Sequence, residues 1–542
     1  MVFDWFFEGP QYILDYEKHD PDSTFISESE TEWVEEYRPG GFHPVDIGDL
    51  IDGRFEVFHK LGAGAFGVVW MCLERQTQKW RALKILVARF SNDKSELEVY
   101  EYLRSQSTPE ELERNHIAAP LEHFHIDGPN GRHLCFVLPV LGSEVSQWIW
   151  DQDPLKEGTS IILKDVCRQL AQGVRFLHRN GVIHGDIKPT NIMLKLSGID
   201  GLTKDEMGKL LGKPEMIPIE TTSGSDPGPH APRYYVSTVD GRWCKALNTT
   251  EIVIIDYTES CLGEDPHPYW GTPIPYAAPE VVFPKSLPGA DGYSKDVWSL
   301  ACTMYEIKTK HPMFESCDFP YTLVEKLELY FGPLPEVYLV AWNHAEDCDR
   351  KRNAVSPDEG KPFDDLHYVT WKPTELKPVR DRFLNDSGCS DPLEGKLLRE
   401  RCQNNLVPGK RERETIKYRY PREDTLLLAD LLHGMFKYNP EDRLSMEDVC
   451  RHPWLQERTR FQAIRNALKP CIPEILRQYS VLAFGLGVAA TMAAVFWTRL
   501  GDSQQGHPTP VSASCPAGLH DVPANELFLV PIHSVAMPKS PS

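Results

Sequence analysis

The sequence predicts an α+β fold of two lobes, a small β-rich lobe over residues 55–140 and a larger helical lobe over residues 141–456. Three observations carry this. Short apolar runs at Phe55–Leu61, Val68–Leu73 and Arg81–Val87 alternate with turns, the pattern of β-hairpins. From Thr159 to Arg179 apolar residues recur near helical spacing, at Ile162, Val166, Leu170, Val174 and Leu177. The 542 residues are 41% hydrophobic, enough for a large core and for two to four domains' worth of chain.

The order of elements follows from the same signals. Residues 1–54 are aromatic and acidic with little periodicity, and read as an N-terminal extension. After the first three strand-like runs a charged helical stretch covers Lys94–Arg104, followed by strand-like runs at Leu121–Ile126 and His133–Leu138. Beyond Arg179 the run "EIVIID" returns as a strand at Glu251–Asp256, and helical patterns resume at Ser294–Ile307, Thr322–Phe331 and Thr425–Met435. Two stretches without sustained periodicity, about 197–250 and 345–422, read as flexible inserts. In the C-terminal tail, 457–542, the uncharged run Ser480–Thr498 only just reaches the length of a membrane span. It reads either as a membrane anchor or as a hydrophobic helix docked on protein.

Charge and cysteine usage narrow the function classes. The formal net charge of −21 argues against binding nucleic acid through its phosphates and is compatible with a basic protein partner. The 13 cysteines include no CxxC pair, which fits reduced thiols inside a cell better than a disulfide framework or a zinc site. The start of the chain has no basic region before its apolar residues, so no signal peptide is expected.

Five motifs come in one order. "LGAGAFGVV" places Gly62, Gly64 and Gly67 between two strand-like runs. A dinucleotide-binding loop would open a helix instead, which sets an oxidoreductase aside. "ALKIL" puts Lys84 on the next strand, and the helix after it carries Glu98, with Glu96 and Glu101 as alternatives. "VIHGDIKPTNIML" supplies Asp186, Lys188 and Asn191, and "IIDYTES" supplies Asp256. Each residue alone is more often a solvated charge or a loop residue; the ordered set is not a chance pattern.

This set resembles a eukaryotic-type protein kinase over residues 55–456, a bilobal fold with a spacer-type insert. The resemblance implies ATP as phosphoryl donor and Mg²⁺ as its metal. Leu61, Gly62, Ala63, Gly64, Ala65, Phe66, Gly67 and Val69 would form the phosphate loop, with Ala82, Lys84 and Glu98 beside it. Leu138 would be the gatekeeper, and the Pro139 carbonyl and Leu141 N–H would pair with adenine. Asp186 would take or orient the hydroxyl proton, Lys188 and Lys84 would neutralise phosphoryl charge, and Asn191 and Asp256 would hold metal. "YAAPE" and "NPEDRLS" offer a Glu280–Arg443 ion pair, and Asp296 would hold the catalytic-loop backbone. Lys188 goes with Ser/Thr rather than Tyr specificity, and Thr272 would contact Asp186 and Lys188.

The leader "EEYRPGGFHPVDIGD" is very similar to the segment before the small lobe of SR-protein kinases, which phosphorylate Arg/Ser-rich tails of splicing factors. The resemblance implies protein substrates with Ser/Thr, a monomer, and a cytoplasmic and nuclear location, or a membrane-associated one through 480–498. Tyr37 and Phe42 would anchor the leader as an extra strand. Three features depart from the pattern. Gly185 stands where an Arg usually reads an activation-loop phosphate. "DYT" replaces DFG, putting Thr258 where a glycine tolerates unusual dihedrals. Glu315, Asp318, Glu325 and Glu328 do not match the spacing of the family's acidic docking groove. A degenerate kinase fold acting as a scaffold is the rival reading, and retention of Lys84, Asp186, Asn191 and Asp256 favours the enzyme.

Overall fold

The computed structural model describes residues 12–14, 32–91, 95–156, 158–221, 228–263, 271–283, 292–317, 320–339, 391–406 and 413–456. The Ser480–Thr498 run lies outside them, and among the described residues no helix is long and apolar enough to cross a membrane. Strand β1 is Tyr12–Leu14. A six-stranded antiparallel sheet follows, made of β2 (Leu50–Ile51), β3 (Phe55–Gly64), β4 (Gly67–Glu74), β5 (Lys79–Leu86), β6 (Glu122–Gly128) and β7 (Gly131–Leu138), in the order β2-β3-β4-β5-β7-β6. Its pleat buries Phe55, Val57, Val68, Trp70 and Cys72 on the same core as Tyr37, Phe42 and Val45 of the leader. Helix α1 (Ser95–Gln106) crosses beside it and α2 (Pro109–Arg114) follows, opened by a capping box between Thr108 and Glu111.

The leader is not an extra strand over most of its length. A 3₁₀ turn at Val34–Glu36 is followed by a bend in which Gly40 has φ +85° and a Cβ on Gly41 would lie 1.8 Å from the Glu36 carbonyl oxygen. Only glycine fits both places. The bend lets the Gly40 and Gly41 carbonyls accept the N–H groups of Arg89 and Ala88, tying the leader to the chain just after β5. Tyr37 and Phe42 do anchor it, at 1% and 3% exposure.

The large lobe begins with α3 (Val145–Trp148) and α4 (Thr159–Arg179). Val166, Leu170, Val174 and Leu177 are fully buried, as the spacing requires, and Ile162 packs at the edge. Short strands β8 (Val182–Ile183) and β9 (Ile192–Leu196) follow it. The insert after them is built, not irregular: α5 (Lys204–Leu211), β10 (Met216–Thr221) and β11 (Tyr234–Val236) form a helix and two strands, and β10 pairs with both β11 and β1. Met207 and Leu211 pack on Trp80, and Ile217, Ile219, Tyr235 and Val236 join the small-lobe core. Apolar positions too few and too scattered to show a period find partners on another element. The chain then enters β12 (Asn248–Ile254) and β13 (Cys261–Leu262), and continues through α6 (Pro279–Val282), α7 (Gly292–Thr309) and α8 (Pro320–Phe331). Helix α7 is buried on nearly every face, with Trp298 stacked against Phe314 and edge-on to Phe436. Within the second insert, residues 391–406 and 413–422 hold helix Pro392–Leu398 and the hairpin Arg401–Leu406 with Arg413–Tyr418, and helices Arg422–Met435 and Met446–Arg451 close the lobe.

Candidate active site

The sheet register places the first cluster. Gly62 lies opposite Val69, Val69 opposite Lys84, and Lys84 opposite Phe136, one line across four strands. The next line sets Ala82 opposite Leu138, so the two side chains expected to bound the base are neighbours. The glycines of the loop have different reasons to be glycine. A Cβ on Gly67 would come 2.5 Å from the Ile85 carbonyl oxygen, so packing forbids one. At Gly62 and Gly64 a Cβ would meet nothing within 4 Å, and neither has a positive φ. Nothing in the fold demands glycine there, which leaves an open cradle for a ligand's phosphates against main-chain N–H groups.

Lys84 pairs with Glu96, not Glu98. Its Nζ donates to Glu96 Oε1 at 2.8 Å and Oε2 at 2.9 Å, and Asp256 Oδ1 lies 3.5 Å away. Glu98 is exposed on another face of α1. The helical stripe explains the correction: Glu96, Val99, Tyr100 and Leu103 point inward together, and the Tyr100 hydroxyl donates to Glu96 Oε1 at 3.3 Å. Burial opposes the charge on Lys84, yet Glu96 and Asp256 overcome it and hold its pKa above the ordinary lysine value. Burial alone would raise the Asp256 pKa; the Lys84 charge, the Thr258 hydroxyl and the nearby His184 and Lys188 together reverse this, so the carboxylate is held below the usual range.

Asp256 sits at φ +66°, a left-handed conformation that aspartate tolerates better than most residues and that clusters at functional sites. Thr258 does not share it: the residue in the usual glycine's place has no positive φ, so the expected dihedral conflict is absent. Its hydroxyl instead donates to Asp256 Oδ1 at 2.7 Å and orients that carboxylate. Between them Tyr257 is fully buried, packed edge-on against Tyr100 of α1 at 5.2 Å, which ties the strand end to the helix that carries Glu96.

The second cluster lies on the loop between β8 and β9. Asp186 Oδ2 accepts from Lys188 Nζ at 2.5 Å and from Asn191 Nδ2 at 2.8 Å. Its other oxygen, Oδ1, is buried and has no hydrogen-bond partner. Asn191 Nδ2 also donates to the Asp186 carbonyl at 2.8 Å, so the amide oxygen is the atom left for a cation. Strand β12 runs antiparallel to β9, and the Ile255 N–H donates to the Asn191 carbonyl at 3.0 Å, which brings Asn191 beside Asp256. An amide oxygen and a carboxylate suit Mg²⁺, which fills its remaining positions with phosphate and water oxygens.

Asp296 of α7 holds this loop from below. Its carboxylate accepts the His184 N–H at 2.8 Å and the Gly185 N–H at 2.9 Å, and shares a 2.9 Å hydrogen bond with His178 Nε2. Arg443 pairs with Glu280 at 2.5 and 2.7 Å with both side chains buried. Thr272 donates to the Gly185 carbonyl, one residue short of the expected contacts with Asp186 and Lys188. Of the acidic docking candidates, Glu328 is buried and accepts the Leu334 N–H, Glu315 lies 3.6 Å from His311, Glu325 is exposed, and Asp318 falls outside the described residues. Sequence reasoning gave no role to Tyr100, Tyr257 and His178; only the α1 stripe signalled the first of them.

Comparison with known proteins adds the following. The family model described as "Protein kinase domain" matches residues 55–203 and 247–455, leaving out most of the insert that packs on the small lobe. SRSF protein kinase 3 of Homo sapiens is 36% identical over 171 residues, 31% of this chain and 30% of that protein. The serine/threonine-protein kinase SRPK of Physarum polycephalum is 24% identical over 458 residues, covering 80% of this chain and 94% of its own. The serine/threonine-protein kinase SKY1 of Saccharomyces cerevisiae is 33% identical over 185 residues, 33% of this chain and 25% of that protein. The matched stretch thus spans under a third of the length of the first of these relatives.

Proposed function

This chain belongs to the protein kinase family, and from that premise we propose that it transfers the γ-phosphoryl group of Mg·ATP to serine or threonine hydroxyls of protein substrates, Arg/Ser-rich splicing factors among them. The observation that carries the reading is the asymmetry of Asp186. One carboxylate oxygen is held by Lys188 and Asn191, and the other is buried with its lone pairs unused. A buried acceptor without a partner is costly, roughly 1–3 kcal/mol, unless a ligand's donor completes it. A substrate O–H supplies that donor.

In the proposed step the hydroxyl oxygen forms a bond to the γ-phosphorus as the bond from phosphorus to the β–γ bridging oxygen breaks. ADP carries away the electron pair, and the hydroxyl proton passes toward Asp186 Oδ1. Lys188 stands against the same carboxylate, where its ammonium neutralises charge on the transferring group. Lys84, fixed by Glu96, holds the α/β-phosphates, and the cradle at Gly62 and Gly64 leaves room for them. Asn191 and Asp256 would hold Mg²⁺, whose charge offsets that of the phosphates. Positioning and fixed charge supply most of the acceleration. Substrates of Arg/Ser-rich type fit the net charge of −21 and the name of the relative SRSF protein kinase 3.

Radiolabel transfer from ATP to an Arg/Ser-rich peptide tests this. Wild type is expected to label serine in a magnesium-dependent manner, with Asp186→Asn reduced by at least about a hundredfold. Equal labelling by both proteins would refute it.

A further inference from the structure

Four side chains where β5, α1 and the end of β12 meet close a ring. Lys84 Nζ donates to Glu96 Oε2 at 2.9 Å, and the Thr258 hydroxyl lies 3.4 Å from that same oxygen. The hydroxyl donates to Asp256 Oδ1 at 2.7 Å, and Asp256 Oδ1 lies 3.5 Å from Lys84 Nζ. Two carboxylates and one ammonium leave the ring with one negative charge, which suits a cation. The hydroxyl and the ammonium compete for one atom, Asp256 Oδ1. Thr258 holds it closely, and Lys84 stands off at the edge of hydrogen-bond distance. The other oxygen, Asp256 Oδ2, makes no hydrogen bond among the described residues.

The hydroxyl is fixed in its place. Threonine is branched at Cβ, which restricts its χ1. The residue before it, Tyr257, is fully buried and packs against the Tyr100 ring at 5.2 Å and the His184 ring at 5.3 Å. The Tyr257 carbonyl accepts the Ser260 N–H at 3.1 Å, which closes the turn around Thr258. A glycine at this position would offer no donor and a freer backbone.

We propose that Thr258 is a positioning residue for phosphoryl transfer: by filling Asp256 Oδ1 it keeps the Lys84 ammonium on Glu96 and leaves Asp256 Oδ2 for the metal. This rests on the kinase reading of Lys84 and Asp256. Without the hydroxyl, Oδ1 has only Lys84 as a donor, and the attraction between an ammonium and a carboxylate at this distance is strong. The ammonium then shifts from Glu96 toward Asp256. That one movement weakens the phosphate contact and the metal ligand together.

Calorimetric titration of the full chain with the non-hydrolysable analogue adenylyl imidodiphosphate, in magnesium and in EDTA, tests this. The readout is the magnesium enhancement, the Kd in EDTA divided by the Kd in magnesium. Thr258→Val keeps the shape and removes the hydroxyl, and is expected to reduce the enhancement by at least about tenfold, the scale of a lost hydrogen bond to a charged group. Thr258→Ser keeps the hydroxyl and is expected to stay within about threefold of wild type. Thr258→Ala is expected to follow the valine variant, so either one decides the outcome if the other folds poorly. Thr258→Val combined with Glu96→Gln is expected to lose less than the product of the single losses, because each change alone sends Lys84 to the same oxygen. An enhancement unchanged in Thr258→Val, a serine variant as poor as the valine one, or fully multiplicative losses would overturn the role of Thr258 and leave the kinase reading standing. A wild-type protein with no magnesium enhancement would overturn both.

Discussion

Replacing Glu96 by alanine should disable the enzyme, and replacing Glu98 should not. Lys84 Nζ lies 2.8 Å from Glu96 Oε1 and 3.5 Å from Asp256 Oδ1. At an effective dielectric constant of about 20 these attractions are roughly 6 and 5 kcal/mol before desolvation, so Lys84 is balanced between two carboxylates. Without Glu96 the ammonium is expected to move onto Asp256, away from the place proposed for the phosphates and onto the carboxylate proposed to hold Mg²⁺. The side chains of Lys84 and Glu96 are only 15% and 5% exposed. Removing one partner of such a pair typically costs about 3–5 kcal/mol, part as stability and part as lost transition-state binding. The expected result is a fall in kcat/KM for ATP of about 10²–10³-fold, with a steeper magnesium dependence. Glu98→Ala, on the exposed face, should stay within about 0.5 kcal/mol in urea unfolding and about twofold in rate. Comparable losses in both variants, or a Glu96→Ala enzyme with normal kcat/KM, would refute the reasoning.

Three further outcomes follow from the same geometry. Gly62→Ala and Gly64→Ala should leave thermal stability unchanged or slightly raised while weakening ATP binding, whereas Gly67→Ala should lower stability by about 1–3 kcal/mol because its Cβ meets the Ile85 carbonyl; a calorimetric ranking with Gly67→Ala as the most stable would contradict this. Burial beside His133 lowers the His43 pKa from 6.5 to about 4, so His43 stays neutral in the fold while the unfolded chain takes up a proton below 6.5. Its contribution is therefore complete above pH 6.5 and lost progressively toward pH 4, at up to about 1.4 kcal/mol per pH unit, and His43→Gln should flatten the urea midpoint over that window. Lys60 and Glu32 pair at 2.5 Å with their side chains 1% and 0% exposed. Lys60→Met should cost about 3–5 kcal/mol and Lys60→Met with Glu32→Gln distinctly less, and a double variant no better than the single would show that the buried charge is not what hurts.

Much of the fold was legible because its signals are local. The α4 stripe needs only 3.6-residue spacing, and Thr159–Arg179 was read with the bounds the structure has. Asp186, Lys188 and Asn191 lie within six residues, so their meeting depends on one loop. The misses share a different cause. Glu96 and Glu98 differ by about 200° around α1, and choosing between them requires knowing which face meets Asp256, a residue far along the chain. The insert reads as irregular because its apolar positions are few and their burial depends on distant elements, Met207 and Leu211 packing with Trp80, and Ile217 and Tyr235 with the leader. One local signal is present in the insert: Thr203 and Glu206 form a capping box at the start of α5. Thr258 carries no dihedral cost because the left-handed φ falls two residues earlier, on Asp256, which the motif alone does not reveal.

The catalytic loop raises the last question, how it keeps its shape without the arginine that Gly185 replaces. Gly185 has φ +80°, and its two main-chain polar groups are both held: the N–H by Asp296 and the carbonyl by Thr272. The preceding His184 N–H is held by the same carboxylate, and the Ser260 hydroxyl donates to the His184 carbonyl at 2.8 Å. Every contact is a neutral or buried group already in place, and none waits for a phosphate. Removing the carboxylate by Asp296→Ala would orphan two buried N–H groups at about 1–3 kcal/mol each, which is enough to disorder the loop. Phosphatase-treated protein should therefore keep its full kcat, while Asp296→Ala should lose at least about tenfold whatever its phosphorylation state. Activity that vanishes on dephosphorylation and returns on rephosphorylation would mean that the hydrogen bonds around Gly185 are not sufficient to set the loop.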